Sequence, residues 1–303
     1  MGLIDEMRLV SRGRDWRGRS RTPRSAEPWA PARGPQEFPT SWARSRPARI
    51  AREGLQRGVM RPMVWSQTKP VVYGADRLDG ITGPVIVIAN HASHLDAPVI
   101  LGALPPQLTR RMAVGAAADY FFDARWRASL SGLVFNAFPV ERMGSRRLKS
   151  LAPQLIGDGW SVLLFPEGTR SQDGWMRSFR LGTAQLCCQH GIPAVPVAIR
   201  GAYAAMPRGR NWPRPGRPRI AVHIGRPLTP NAGEAAPVFS GRLSSAVTQL
   251  WAEEDLGWWG AMRAASDGKL ALPTGPPAAS WRRIWESTRP LPDPGAKTPV
   301  WRR

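Results

Sequence analysis

The sequence predicts an α/β fold with a largely parallel central sheet flanked by helices. Six short apolar runs read as strands: Val85 to Ala89, Arg111 to Gly115, Leu133 to Val140, Val162 to Phe165, Val195 to Ile199 and Ile220 to Ile224. Most of the gaps between them are long enough for a crossover helix, which parallel pairing requires. The runs at Val85 and Val162 end in polar clusters, and open α/β sheets place their ligands at the carboxyl ends of strands.

Along the chain, residues 1–62 come first, with 14 arginines against 6 acidic residues, a local excess of +8. They lack sustained periodicity and read as a basic, mostly disordered segment. A domain over residues 63–235 follows. Val85-Ile86-Val87-Ile88 is β-branched and apolar on both faces, the mark of a strand in the middle of a sheet. Pro98-Val99-Ile100-Leu101 resumes apolar character as the first turns of a helix, with Ser93 a candidate N-cap and Asp96 three residues on. Leu148, Leu151, Ala152, Leu155 and Ile156 have helical spacing. The last two strands are joined by a loop rich in Pro, Gly and Arg, which leaves room for a connection without a crossover helix. In residues 236–303 a helix is expected from about Val238 to Glu253, with Leu243, Val247, Leu250 and Trp251 on one face. Trp258, Trp259, Trp281, Trp285 and Trp301 then stand among Pro, Gly and Arg, which suits either a membrane interface or burial on the core.

The first polar cluster is Asn90-His91-Ala92-Ser93-His94-Leu95-Asp96. On one continuous helix, residues five apart point roughly 140° away from each other, but across a strand-to-helix turn His91 and Asp96 can meet. A neutral imidazole, with an ordinary pKa of about 6.5, is suited to take a proton near neutral pH. A carboxylate on its other nitrogen fixes the tautomer and stabilises the imidazolium. The alternative is a buried histidine satisfied by backbone, with Asp96 favouring a helix N-terminus. His91, His94 and Asp96 could also be drawn as a metal site. No third nitrogen or sulfur ligand with suitable spacing accompanies them, and no metal is assigned.

The second cluster is Phe165-Pro166-Glu167-Gly168-Thr169-Arg170-Ser171. Gly168 would let the backbone approach a ligand closely. Arg170 offers a planar fork of donors matched to phosphate oxygens, Thr169 and backbone N–H groups could add to it, and Glu167 could accept from a polyol. An ordinary turn with a solvated arginine is the plain alternative.

These two clusters, with Phe138-Pro139-Val140-Glu141-Arg142 between them and Ile192-Pro193-Ala194-Val195-Pro196-Val197 after, resemble the four ordered blocks of the glycerolipid acyltransferases, specifically the bacterial 1-acylglycerol-3-phosphate acyltransferases. The resemblance covers roughly residues 63 to 235. It implies transfer of a fatty acyl group from acyl-CoA or acyl-carrier protein, as co-substrate and with no cofactor, to a hydroxyl of lysophosphatidate or another lysolipid. In that scheme His91 is the base and Asp96 orients it. Arg142, Glu167, Gly168, Thr169 and Arg170 would hold the acceptor's phosphate and glycerol. No covalent intermediate is implied, and no Gly-x-Ser-x-Gly elbow is present. Members often carry a lysine near a helix start between the first two blocks, where this chain has Ala113 to Tyr120; Arg146, Arg147 or Arg177 are candidates to compensate.

The formal net charge is +21, nearly all arginine, which calls for an anionic partner. Anionic lipid headgroups fit a lipid enzyme, and nucleic acid is not expected. A non-enzymatic basic binding module and a metal-dependent hydrolase are the competing classes. No apolar run approaches the ~20 residues needed to span a bilayer, so a monotopic enzyme, peripheral on the cytoplasmic side of the membrane, is the expectation. Met1 to Val10 lacks the apolar core of a secretory signal, and two adjacent cysteines exclude a disulfide framework.

Overall fold

A computed structural model describes residues 40–117, 125–140 and 151–292. Its centre is a seven-stranded sheet of β1 (Lys69–Tyr73), β2 (Ile86–Ala89), β3 (Met112–Ala117), β4 (Phe138–Val140), β5 (Ser161–Leu164), β6 (Ala194–Arg200) and β7 (Arg219–Ile224), in the order β1-β7-β6-β2-β5-β3-β4. Every neighbouring pair is parallel except β6 and β7, which residues 201–218, with a helical turn at Ala202–Ala205, join as an antiparallel pair.

The β-branched run at Val85 forms the middle strand because both of its faces are covered. Val87 and Ala89 face one core with α2 (Arg61–Gln67) and α3 (Asp96–Ala103), through Val64, Val99 and Ile100. Ile86 and Ile88 face a second core with α5 (Leu151–Gly157), α6 (Gly182–His190) and α7 (Ala236–Ser266), through Leu155, Cys187, Phe239, Leu243 and Val247. Burying one such aliphatic side chain contributes about 1.5–3 kcal/mol before entropy is counted. Of the other helices, α1 (Arg46–Leu55) precedes α2, and α4 (Arg125–Phe135) leads into β4. Among the described residues no helix is long and apolar enough to cross a membrane.

Several elements differ from expectation. The segment read as unstructured to residue 62 is helical from Arg46, while residues 1–39 lie outside the described ones. The reason is polar docking, since the inward positions of this segment include Arg52 and Gln56. Buried Arg52 donates to the carbonyls of Leu133 at 2.9 Å and Gly132 at 3.1 Å and also to that of Ala43, and Gln56 donates to that of Val134 at 2.7 Å. Two α1-side residues thus satisfy carbonyls that the last turn of α4 leaves open. Burial, with like charge from Arg44 and Arg49, lowers the Arg52 pKa to about 10. The run Leu133 to Val140 splits, its first part ending α4 and only Phe138–Val140 pairing as a strand. Edge strand β1 was not anticipated, because Lys69 and Pro70 mask it; proline is tolerated at an edge. The C-terminal helix runs on from Glu253 to Ser266 through Gly257, whose φ of 68° breaks the helical path. Ser93 is not the cap of α3: its hydroxyl donates to the Met206 carbonyl at 2.8 Å.

Two polar devices fasten the layers. Just past β2, the Asn90 amide extends the ladder, its Nδ2 donating to the Ile199 carbonyl at 3.0 Å and its Oδ1 accepting from the Ile199 N–H at 2.8 Å. Where α7 crosses β7, buried His223 contacts Glu253 at 3.2 Å and Glu254 at 3.1 Å, and Arg219 bridges Glu254 and the Tyr73 hydroxyl. Burial opposes charge on His223, but the two carboxylates outweigh it and raise its pKa.

Asn90→Ala leaves both Ile199 backbone groups without these partners and is expected to cost about 1–3 kcal/mol, read as a shift in the urea midpoint. A histidine with a raised folded pKa contributes stability that is complete below about pH 6.5 and is lost as pH climbs through the folded value. His223→Gln is therefore expected to remove part of the fall in stability on that alkaline side, read as unfolding midpoints across pH 5.5–8.5.

Candidate active site

The site follows from register. β2 and β5 are parallel neighbours with Ile88 opposite Leu164, so the two polar clusters leave the sheet side by side. Three residues beyond each of these, the backbone N–H of His91 donates to Glu167 Oε1 at 2.8 Å. The carbonyl of His91 accepts from the N–H of Ser171 at 2.8 Å, closing the second contact between the turns. Glu167 Oε2 accepts from the N–H of Arg177 at 3.0 Å. The two clusters are thus one polar unit, joined at the strand ends.

Within it, His91 Nδ1 lies 2.9 Å from Asp96 Oδ2. The turn between β2 and α3 brings them together, as the five-residue spacing required. Asp96 opens α3 fully buried, and the same Oδ2 accepts from the N–H groups of Ala92 at 2.7 Å and Ser93 at 2.8 Å. That oxygen already accepts from two backbone N–H groups, so the ring nitrogen facing it is assigned as the donor, which leaves Nε2 as the acceptor. The His91 ring stacks on Phe165 with centroids 4.0 Å apart and planes at 19°, and its side chain keeps 21% of its surface exposed. A fixed tautomer, a fixed ring plane and an open second nitrogen are what a general base needs.

The remaining residues fall into place unevenly. Glu167, expected to meet a polyol, is buried with both oxygens engaged by backbone N–H groups, so its visible role is to brace the turns. Burial pushes its carboxyl up to about 8, with the N–H groups of His91 and Arg177 pulling the other way. Gly168 is required by a φ of 76°, and a Cβ there would stand 2.7 Å from Arg180 Nε. Thr169 Oγ1 accepts from the Arg177 guanidinium at 3.0 Å. Arg170 lies close enough to His94 that its charge, after burial and ahead of His91, drives the His94 pKa down to about 4. Arg142, with Arg146 and Arg147, lies outside the described residues. Among those described, no group of three His, Cys, Asp or Glu side chains is arranged to hold a metal.

Sequence reasoning missed the Glu167 brace and the Phe165 stack. Both could have been found by aligning the two motifs on adjacent parallel strands, which puts position 91 opposite 167.

Residues 69–200 match the family model described as Acyltransferase. A 1-acyl-sn-glycerol-3-phosphate acyltransferase of Chlamydomonas reinhardtii is 29% identical over 168 residues, 55% of this chain and 49% of that protein. A chloroplastic 1-acyl-sn-glycerol-3-phosphate acyltransferase of Arabidopsis thaliana is 30% identical over 159 residues, 50% of this chain and 42% of that protein. The chain spans about half the length of such curated relatives. The crystal structure of the 1-acyl-sn-glycerophosphate acyltransferase PlsC from Thermotoga maritima superimposes with a TM-score of 0.52 at 25% identity, covering 69% of this chain and 83% of that one. Residues 69–200, which hold the joined motifs of β2 and β5, are thus similar to the acyltransferase family and to proteins named as 1-acyl-sn-glycerol-3-phosphate acyltransferases.

Proposed function

We propose that this domain transfers a fatty acyl group from a thioester, acyl-CoA or acyl-carrier protein, to the free hydroxyl of lysophosphatidate, yielding phosphatidate. The observation that carries the reading is the His91–Asp96 pair held against the second motif through Glu167. His91 Nε2 takes the acceptor hydroxyl proton as that oxygen attacks the thioester carbonyl. The carbon–sulfur bond breaks, and the proton passes from the imidazolium to the departing thiolate. Asp96 stabilises the transient imidazolium and keeps Nδ1 protonated. No covalent acyl-enzyme is formed.

Arg170, Thr169 and Arg177 supply the groups that fit an acceptor phosphate. Arg177, already bonded to Thr169, takes the place of the lysine missing near Ala113 to Tyr120. Glu167 acts through His91 as a positioning residue, since its oxygens are spent on the backbone. The names of the relatives support lysophosphatidate as acceptor. The enzyme works peripherally on the cytoplasmic face of a membrane, drawn there by its net charge of +21.

His91→Ala is expected to lower acceptor-dependent thiol release from acyl-CoA by ~10²–10⁴ in kcat with the fold retained; undiminished release would contradict the mechanism. Glu167→Gln presents an amide NH₂ to one of two backbone donors, so kcat should fall by about tenfold or more with little change in KM. The same variant has a second readout. An acid whose folded pKa is raised to about 8 destabilises the fold progressively as pH rises from its unfolded value towards 8. Unfolding midpoints of the parent should therefore decline more steeply than those of Glu167→Gln over roughly pH 5–8.

A further inference from the structure

Helix α8 (Ser280–Ser287) has its amphipathic faces the wrong way out for a helix packed on a core. At about 100° per residue, Trp281, Ile284 and Trp285 share one side, whereas Arg283 and Ser287 share the opposite one. The apolar side faces solvent, with Trp281 70% and Trp285 58% exposed and Ile284 40%. The polar side is the one fastened to the protein. Arg283 pairs with Asp173 at 2.6 Å and donates to the carbonyls of Pro276 at 2.9 Å and Thr274 at 2.7 Å. Its own carbonyl accepts from Trp175 Nε1 at 3.0 Å. A helix held through polar contacts on one side that presents two tryptophans on the other is shaped to enter something apolar.

The geometry points to α8 as a docking helix for an anionic phospholipid surface, seated at the mouth of the acceptor site. Charge and composition identify the occupant. Tryptophan beside arginine matches the headgroup layer, where the ring is half immersed and the guanidinium meets phosphate. Arg289 already lies over the Trp285 ring, 5.4 Å from its centroid. With Arg283 turned inward, the outer part of residues 280–289 carries Arg282, paired with Glu286 at 3.1 Å, and Arg289, on a chain of net charge +21.

Position ties the helix to the chemistry. Arg283 on the inner side of α8 and Arg177 on the segment after the second motif line one cleft of about 260 Å³, together with Gln172, Asp173, Trp175 and Met176. The backbone N–H of Arg177 is held by Glu167, and Glu167 holds that of His91. A lysolipid leaving a surface docked on α8 would meet this cleft first. That last step rests on the lysolipid reading of the acceptor; docking itself does not.

The test uses the full chain with the double substitution Trp281→Ala/Trp285→Ala, and Trp212→Ala as an exposed control in the loop between β6 and β7. Partition onto vesicles of phosphatidylglycerol and phosphatidylcholine is measured by sedimentation, together with turnover on a monomeric short-chain lysophosphatidate. The double variant should lose ~10-fold or more of the parent's partition, and Trp212→Ala should keep it, with short-chain turnover unchanged in both. Lost partition in a protein without any acyl transfer would retain the docking surface and reject the proposed activity. Partition by the double variant within twofold of the parent, or no partition by the parent, would overturn the proposal. So would an oligomer in lipid-free solution that the double substitution dissociates, since a second copy would then occupy the face. Protection of these tryptophans from iodide quenching in the lipid-free monomer would do the same, since the chain itself would then cover them.

Discussion

The carboxylate of Glu167 spans the two turns that carry the chemistry, and the geometry of the site depends on it. Parallel strands diverge into separate loops at their ends, and nothing in the sheet ladder itself controls how those loops sit. Here one side chain accepts the N–H of His91 with one oxygen and that of Arg177 with the other. The contact is local in space but spans 76 residues of sequence. It works because Ile88 and Leu164 are register partners, so a core decision about strand pairing becomes a positional decision about an imidazole.

Placing that carboxylate in a buried setting is costly, as its raised pKa records. Such groups persist where they hold a functional geometry that apolar packing could not specify. Asp96 is the complementary case. It is fully buried, and its Oδ2 meets the His91 ring and two backbone N–H groups while its Oδ1 is buried without a hydrogen-bond partner. Two buried acids on neighbouring turns therefore do different work. One contacts the imidazole of His91 and the other bonds the backbone N–H of the same residue.

Much of this was legible in the sequence, and the reasons differ by element. The middle strands were readable because Val85 to Ala89 and Val162 to Leu164 are buried on both faces and carry continuous apolar runs. The His91–Asp96 pairing was readable as an option, since a turn was needed to bring the two together. The N-terminal helices were not readable, because two of the positions they turn inward, Arg52 and Gln56, are polar and dock through hydrogen bonds to carbonyls. The role of Glu167 was hidden for a related reason: its partners are backbone N–H groups, identical at every residue but proline. The tryptophans after Glu253 had two readings, core or interface, and at α8 the exposure of Trp281 and Trp285 excludes the core.

The central claim is that His91 stands with Nδ1 protonated against Asp96 and Nε2 open. Long-range ¹⁵N–¹H correlation of the His91 ring at neutral pH measures this directly. The account predicts the Nδ1–H tautomer in the parent and loss of that preference in Asp96→Ala. A dominant Nε2–H tautomer in the parent, or a ring whose tautomer ignores the loss of the carboxylate, would contradict it.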